Sequence, residues 1–125
     1  MGNNSMFKVL EPIFSSSDDR GSIVQLFQGN CSQVNILHCK EGSVRGNHYH
    51  KINTESFYVV DGQVEVTLKT LDQNPIVETK IFSKEAFFAI LPNISHEMFF
   101  KKDTVMVAVY DKGIILPDQT KDIYV

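Results

Sequence analysis

At 125 residues, with 42% hydrophobic and 22% charged side chains, the chain has the size and balance of one soluble globular domain that buries a core without disulfide staples. A formal net charge of −3, with Arg20 and Arg45 the two arginines and the lysines scattered, excludes the basic footprint of a nucleic-acid binder. No apolar run approaches the ~20 residues a membrane-spanning helix needs, so neither polynucleotide nor membrane is an expected partner.

Cys31 and Cys39 fit no thiolate-metal spacing and read as reduced thiols. The opening Met-Gly-Asn-Asn-Ser-Met has no basic segment before an apolar stretch, so a cytoplasmic location is expected. Asn-x-Ser triplets at Asn3, Asn30 and Asn93 then read as chance, since glycosylation needs a secreted chain.

In chain order, the first strand signal is the apolar run Ser22 to Phe27 after Ser15-Ser-Ser-Asp-Asp-Arg-Gly21, and the next is Gln33 to Cys39 after Gly29-Asn-Cys-Ser. From Glu55 to Leu68 the alternation is clearest. Phe57 and Val59 share a face, Asp61-Gly62 predicts a hairpin turn, and Val64, Val66 and Leu68 alternate with Gln63, Glu65, Thr67 and Lys69. Val77 to Phe82, Ala86 to Leu91 and Val105 to Tyr110 follow, with loops expected over Leu71 to Pro75 and Phe82 to Glu85. No stretch carries a helical period, and the segment from Lys112 to Val125 is expected to hold one helical turn or to lie along the surface. Roughly eight strands at this spacing predict an all-β, single-domain antiparallel barrel of the jelly-roll kind over residues 1–125.

The chemistry concentrates in Gly42-Ser-Val-Arg-Gly-Asn-His48-Tyr-His50-Lys-Ile-Asn-Thr-Glu55. In an extended strand, residues two apart point the same way, so His48 and His50 present two imidazoles to one face about 7 Å of chain apart. Glu55 falls at an odd offset and requires the chain to bend over Lys51 to Thr54; it then shares the phase of Phe57 and Val59, which points it inward. His96 follows Leu91-Pro-Asn-Ile-Ser, where proline ends one strand and a short turn begins the next. Three imidazoles and a carboxylate suit a divalent transition metal, whether zinc, iron, manganese, nickel or copper, with positions left for water or substrate. The remaining histidine, His38, has either a packed structural role or a place beside the cavity.

Gly42 to Gly62 matches the first cupin motif at every defined position: glycine, five residues, His-x-His, four residues, glutamate, six residues, glycine. A degenerate second motif, around residues 86–100, keeps Pro92 and His96 without its glycine. The chain therefore resembles the cupin superfamily. Asp19-Arg-Gly21, Val44 to Lys51 and His96-Glu-Met98 narrow the resemblance to cupins acting on nucleotide sugars, which include sugar 3,4-ketoisomerases and 3,5-epimerases. Nearest is the zinc-binding cupin domain of capsular-polysaccharide epimerase-reductases, through Gln33-Val-Asn-Ile and the Asn-His-Tyr-His-Lys stretch. Ketoisomerases of this group usually lack the glutamate and place a tyrosine near where Ile36 stands here.

The resemblance implies an isomerase, either epimerase or ketoisomerase, acting on a 4-keto nucleotide sugar in surface polysaccharide biosynthesis. Such a reaction moves a proton beside a ketone, which requires a base near neutral pH and an electrophile for the oxyanion. His48, His50, Glu55 and His96 are the candidate metal ligands, and zinc is the metal the resemblance implies. His38, Tyr49 and Tyr58 are the candidates for proton transfer, with Tyr58 out of phase with Glu55. Arg45 and Lys51 are placed to meet a diphosphate. Two other classes fit the same ligands: an iron-dependent small-molecule dioxygenase, and a sugar-binding cupin without turnover. A homodimer is expected from the surplus of apolar strand residues, Phe7, Val9, Phe87 and Phe88 among them.

Overall fold

The computed structural model describes residues 5–125; Asn3 and the opening residues lie outside the described residues. Among the described residues eleven strands form where roughly eight are expected: β1 (Lys8–Val9), β2 (Phe14–Asp18), β3 (Gly21–Gln25), β4 (Gln33–Cys39), β5 (Val44–His48), β6 (Glu55–Asp61), β7 (Gln63–Lys69), β8 (Val77–Ser83), β9 (Phe87–Ile90), β10 (Ser95–Phe100) and β11 (Thr104–Tyr110). The additions are short or weakly patterned. The serine-rich β2 forms only by pairing with β3 across a turn in which the Asp18 carboxylate accepts the Arg20 backbone N–H at 2.9 Å. No helix occurs among the described residues, and none is long and apolar enough to cross a membrane.

Every strand pairing is antiparallel. One sheet runs β1-β9-β6-β11-β4, a second β5-β10-β7-β8, and β2-β3 stands apart as a two-stranded ribbon. The first sheet sends Phe57, Val59, Phe88, Ile90, Met106 and Ala108 inward, and the second Val64, Val66, Leu68, Phe82, Met98 and Phe100. Rings of Phe82 and Phe88 stack across the layers at 3.8 Å between centroids, with Phe7 edge-on to Phe82 at 5.3 Å. Phe7, Phe87 and Phe88 are thus buried within the chain, and of the residues expected to supply a dimer surface only Val9 is exposed.

The Asp61-Gly62 turn does not close a hairpin. β6 pairs with β9 and β11 while β7 pairs with β8 and β10, so at Gly62 the chain leaves one sheet for the other. The inward phase is the same in either arrangement, which is why alternation alone could not distinguish them. Gly62, at φ 107°, turns so tightly against β11 that a Cβ there would overlap Thr104 and come within 2.5 Å of the Asp103 carbonyl oxygen. The Gln63 N–H then donates to Thr104 Oγ1 at 3.1 Å, closing the corner. Nor is the stretch Phe82 to Glu85 wholly a loop, since Phe82 and Ser83 complete β8. The segment after β11 holds no helical turn; it folds on itself at the Ile115–Lys121 bridge and returns to the barrel at the Tyr49–Tyr124 bridge.

Candidate metal centre

β10 lies between β5 and β7, and its register sets His96 opposite His48. At that point β5 changes register with β10, and Gly46 (φ 100°) and Asn47 (φ 64°) take left-handed conformations just before His48. A Cβ on Gly46 would lie 2.7 Å from the His96 carbonyl oxygen, so only glycine lets the two histidine-bearing strands come this close. His50, two residues on, points to the same face as His48: the ring centroids are 5.3 Å apart, with His48–His96 at 4.6 Å and His50–His96 at 5.6 Å. One nitrogen from each of the three rings lies within 4.8 Å of those of the other two, a group that could hold a metal ion.

Glu55 opens β6 on the facing sheet and enters the cluster from the opposite side. Its Oε1 lies 3.0 Å from His50 Nε2 and 3.6 Å from His96 Nε2. Glu55, His50 and His96 are all buried. A carboxylate costs several kcal/mol to bury without compensation, so it requires either charged imidazoles or a cation beside it. His96 Nδ1 is buried and finds no hydrogen-bonding partner.

Burial sets the proton affinities apart. It drives His96 down to about 4, further than the Glu55 charge can restore, and it lowers His48 with help from the neighbouring His50 charge. At neutral pH both rings are unprotonated and present lone pairs. Burial also opposes charge on His50, but hydrogen bonds to Glu55 and to the Asp122 carbonyl outweigh it, so His50 lies above the ordinary imidazole value.

A cavity of about 590 Å³ opens over the cluster between the sheets, lined by Val34, Asn35, Ile36 and Leu37 of β4, Arg45, Gly46 and His48 of β5, Glu55 and Phe57 of β6, His96 and Met98 of β10 and Tyr110 of β11. Arg45 is therefore at the cavity; Lys51 is not among its lining, and its ammonium sits 4.2 Å over the Tyr124 ring. His38, Tyr49 and Tyr58 also fall outside that lining. Strand phase is the reason. His38 is exposed, one step out of phase with the inward Leu37 and Cys39. Tyr49 is one step out of phase with His48 and His50 and packs on Tyr124 at 5.5 Å, while Tyr58 alternates with Phe57 and Val59 and meets Phe87 at 6.0 Å on the outer face.

Sequence reasoning passed over Tyr110, a second aromatic residue, with Phe57, in the cavity lining beside the cluster. It pairs in register with Glu55 on one side and Gln33 on the other, and its ring stands edge-on to His50 at 5.5 Å. Burial first, then the Glu55 charge and a hydrogen bond to Glu55, raise its pKa far above the ordinary phenol value. The alternation Met106, Ala108, Tyr110 would have marked it as the last inward residue of its strand.

Comparison with known proteins adds a family and a set of folds. The model of a family described as the polysaccharide biosynthesis C-terminal domain matches residues 16–124. A comparison with curated proteins matches none of them. Among solved structures, the sugar 3,4-ketoisomerase QdtA from Thermoanaerobacterium thermosaccharolyticum in complex with TDP superposes at a TM-score of 0.74, with 17% identity over 89% of this chain and 84% of that one. The 3'-monoepimerase ChmJ from Streptomyces bikiniensis, in complex with dTDP-quinovose, gives 0.71 with 18% identity, over 91% of this chain and 67% of that one. The capsular polysaccharide assembling protein CapF from Staphylococcus aureus gives 0.65 with 25% identity, over 92% of this chain but only 32% of its own length. What these structures share with the chain is the fold, an antiparallel all-β jelly roll.

Proposed function

The chain belongs to the polysaccharide biosynthesis C-terminal domain family, and from that membership we propose that it is a metal-dependent cupin that isomerises or epimerises an anionic 4-keto nucleotide sugar. The observation that carries this reading is the convergence of three imidazoles and a buried carboxylate, of which His48, His96 and Glu55 line a cavity that also has the Arg45 guanidinium in its wall. The ketoisomerase in complex with TDP and the epimerase in complex with dTDP-quinovose, which share the fold, support the substrate class.

His48, His50, Glu55 and His96 would hold the ion, and a divalent ion so held supplies Lewis acidity toward a ketone oxygen. Three nitrogens and one oxygen are a donor set that zinc, iron, manganese and nickel all accept, and zinc, without redox chemistry, matches a reaction that only moves protons. Arg45, at the cavity and exposed, is placed to pair with a diphosphate in bidentate fashion. Tyr110, in the cavity beside Glu55, keeps its proton across neutral pH and so offers a hydroxyl hydrogen-bond donor there. Phe57 and Met98, both buried, give the cavity an apolar wall.

A second reading rests on the 3.0 Å contact of His50 Nε2 with Glu55, which forms a proton-holding pair that could serve as base with no ion present. Elemental analysis of protein purified without chelators separates the two. Near-stoichiometric zinc, abolished by His48→Ala with His50→Ala, is expected; a folded, active, metal-free protein leaves the histidine–glutamate pair as the base. Incubation with 4-keto nucleotide sugars in deuterated water should place deuterium beside the carbonyl. Arg45→Ala should weaken binding tenfold to a hundredfold, the loss of one charge-assisted contact of about 1.5–3 kcal/mol. Oxygen consumption by an iron-loaded sample, with no deuterium incorporated, would move the protein to the dioxygenase class; sugar binding with neither reaction would make it a binding module.

A further inference from the structure

His50 is gripped from outside the cavity by a segment far from it in sequence. Its Nδ1 meets the backbone carbonyl oxygen of Asp122 at 2.7 Å, both groups buried. Asp122 is itself 0% exposed, and its carboxylate accepts the backbone N–H groups of Lys51 at 2.8 Å, Ile52 at 3.0 Å and Asn53 at 2.9 Å, together with the Asn53 side-chain amide at 2.8 Å. On the other flank, Tyr49 and Tyr124 exchange backbone hydrogen bonds at 2.9 and 3.0 Å. The residue before His50 and the three after it are thus all tied to residues 122–124.

We propose that Asp122 is a positioning residue for the metal centre: its carboxylate fixes the loop that follows His50, and its carbonyl fixes which nitrogen of His50 carries the proton. The inference rests on the metal-centre reading above and extends it to a segment outside the cavity. A carbonyl can only accept, so the Nδ1 beside it must carry hydrogen, and Nε2 is left as the atom that faces Glu55 and the other two rings. His96 is not held in this way, since its Nδ1 is buried without a partner. The cluster therefore contains an imidazole, that of His50, preset in tautomer and angle before any ion enters the site. Partners that orient a ligating histidine in this manner typically change metal affinity 10–100-fold when removed.

The test uses the full chain, labelled with ¹⁵N and ¹³C. In the unaltered protein, with and without zinc, a protonated His50 Nδ1 should show scalar coupling across the hydrogen bond to the Asp122 carbonyl carbon. Asp122→Asn keeps the volume but turns an amide N–H toward backbone donors, so it should lose that coupling and weaken zinc binding 10–100-fold by competition titration. Absence of the coupling in the unaltered protein overturns the proposal without any variant having to fold. Loss of the coupling in a folded Asp122→Asn protein whose zinc affinity is unchanged overturns it equally. If the unaltered protein shows the coupling but takes up no zinc, it is the metal-centre reading that fails, and the preset ring stands.

Discussion

Asn53 is fully buried and uses its entire polar capacity: Oδ1 accepts the N–H groups of Lys112 and Gly113 at 2.9 Å each, and Nδ2 donates to the Gly113 carbonyl and to Asp122 Oδ2 at 2.8 Å each. Asn53→Ala strips those buried groups of their partners, and denaturant unfolding should show a loss of at least about 1–3 kcal/mol. Asp122, its neighbour, adds a pH dependence. Burial alone would raise its pKa, but the hydrogen bonds from Asn53, Lys51 and Ile52 outweigh it and hold the carboxyl below the usual carboxylate range. A carboxyl lowered on folding contributes stability that is complete above about pH 4 and is lost as pH falls through its folded value. Asp122→Asn, which cannot titrate, should therefore flatten the acid limb of the unfolding curve. In the sequence neither residue was marked: Asn53 reads as one polar residue in a bend, and Asp122 as one acid among many, because what distinguishes them is contact across some 70 residues of chain.

The strands differ in how far local pattern determines them. β7 was readable in full, because Val64, Val66 and Leu68 go inward while Gln63, Glu65 and Thr67 stay at the half-buried face. β5 was not, since its inward row is broken by Gly46 and Asn47 and only the histidine spacing pointed to a strand. Yet β5 carries the heaviest positional demand at the site. Gly46→Ala should force β5 away from β10, because its Cβ would meet the His96 carbonyl oxygen at 2.7 Å on a backbone already at φ 100°. The cost should exceed about 1 kcal/mol, with His48 displaced and zinc affinity reduced as well. Gly42→Ala is the comparison, for its φ of 86° brings similar backbone strain but its Cβ would meet nothing within 4 Å. Thermal unfolding of the two variants isolates the close contact; equal losses would mean that strand separation at Gly46 is unimportant.

At the scale of the whole molecule, the ribbon β2-β3 pairs with neither large sheet. All five residues of β2 and the first four of β3 are exposed, with Phe14 at 50% and Ile23 at 65%. An isolated two-stranded ribbon is marginal in water, and apolar residues along it call for a cover. At the edge of the five-stranded sheet, β4 pairs only with β11 among the described residues and exposes Val34 at 55% and Ile36 at 66%. A long apolar edge strand of this kind is a pairing surface that proteins either protect or use. We propose that the expected homodimer forms through both: a two-fold axis can set the ribbon of one copy against the β4 side of the other and bury the two apolar surfaces together. This replaces Phe7, Phe87 and Phe88, which are buried within their own chain, as the grounds for dimerisation. Light scattering at micromolar concentration should return twice the 14.2 kDa chain mass. Ile23→Asp, on the ribbon and outside the histidine cavity, should shift the protein to monomer while its circular dichroism stays that of the folded sheet. A monomer mass for the unaltered chain, or an Ile23→Asp protein that still dimerises, would show that the ribbon is not part of the interface.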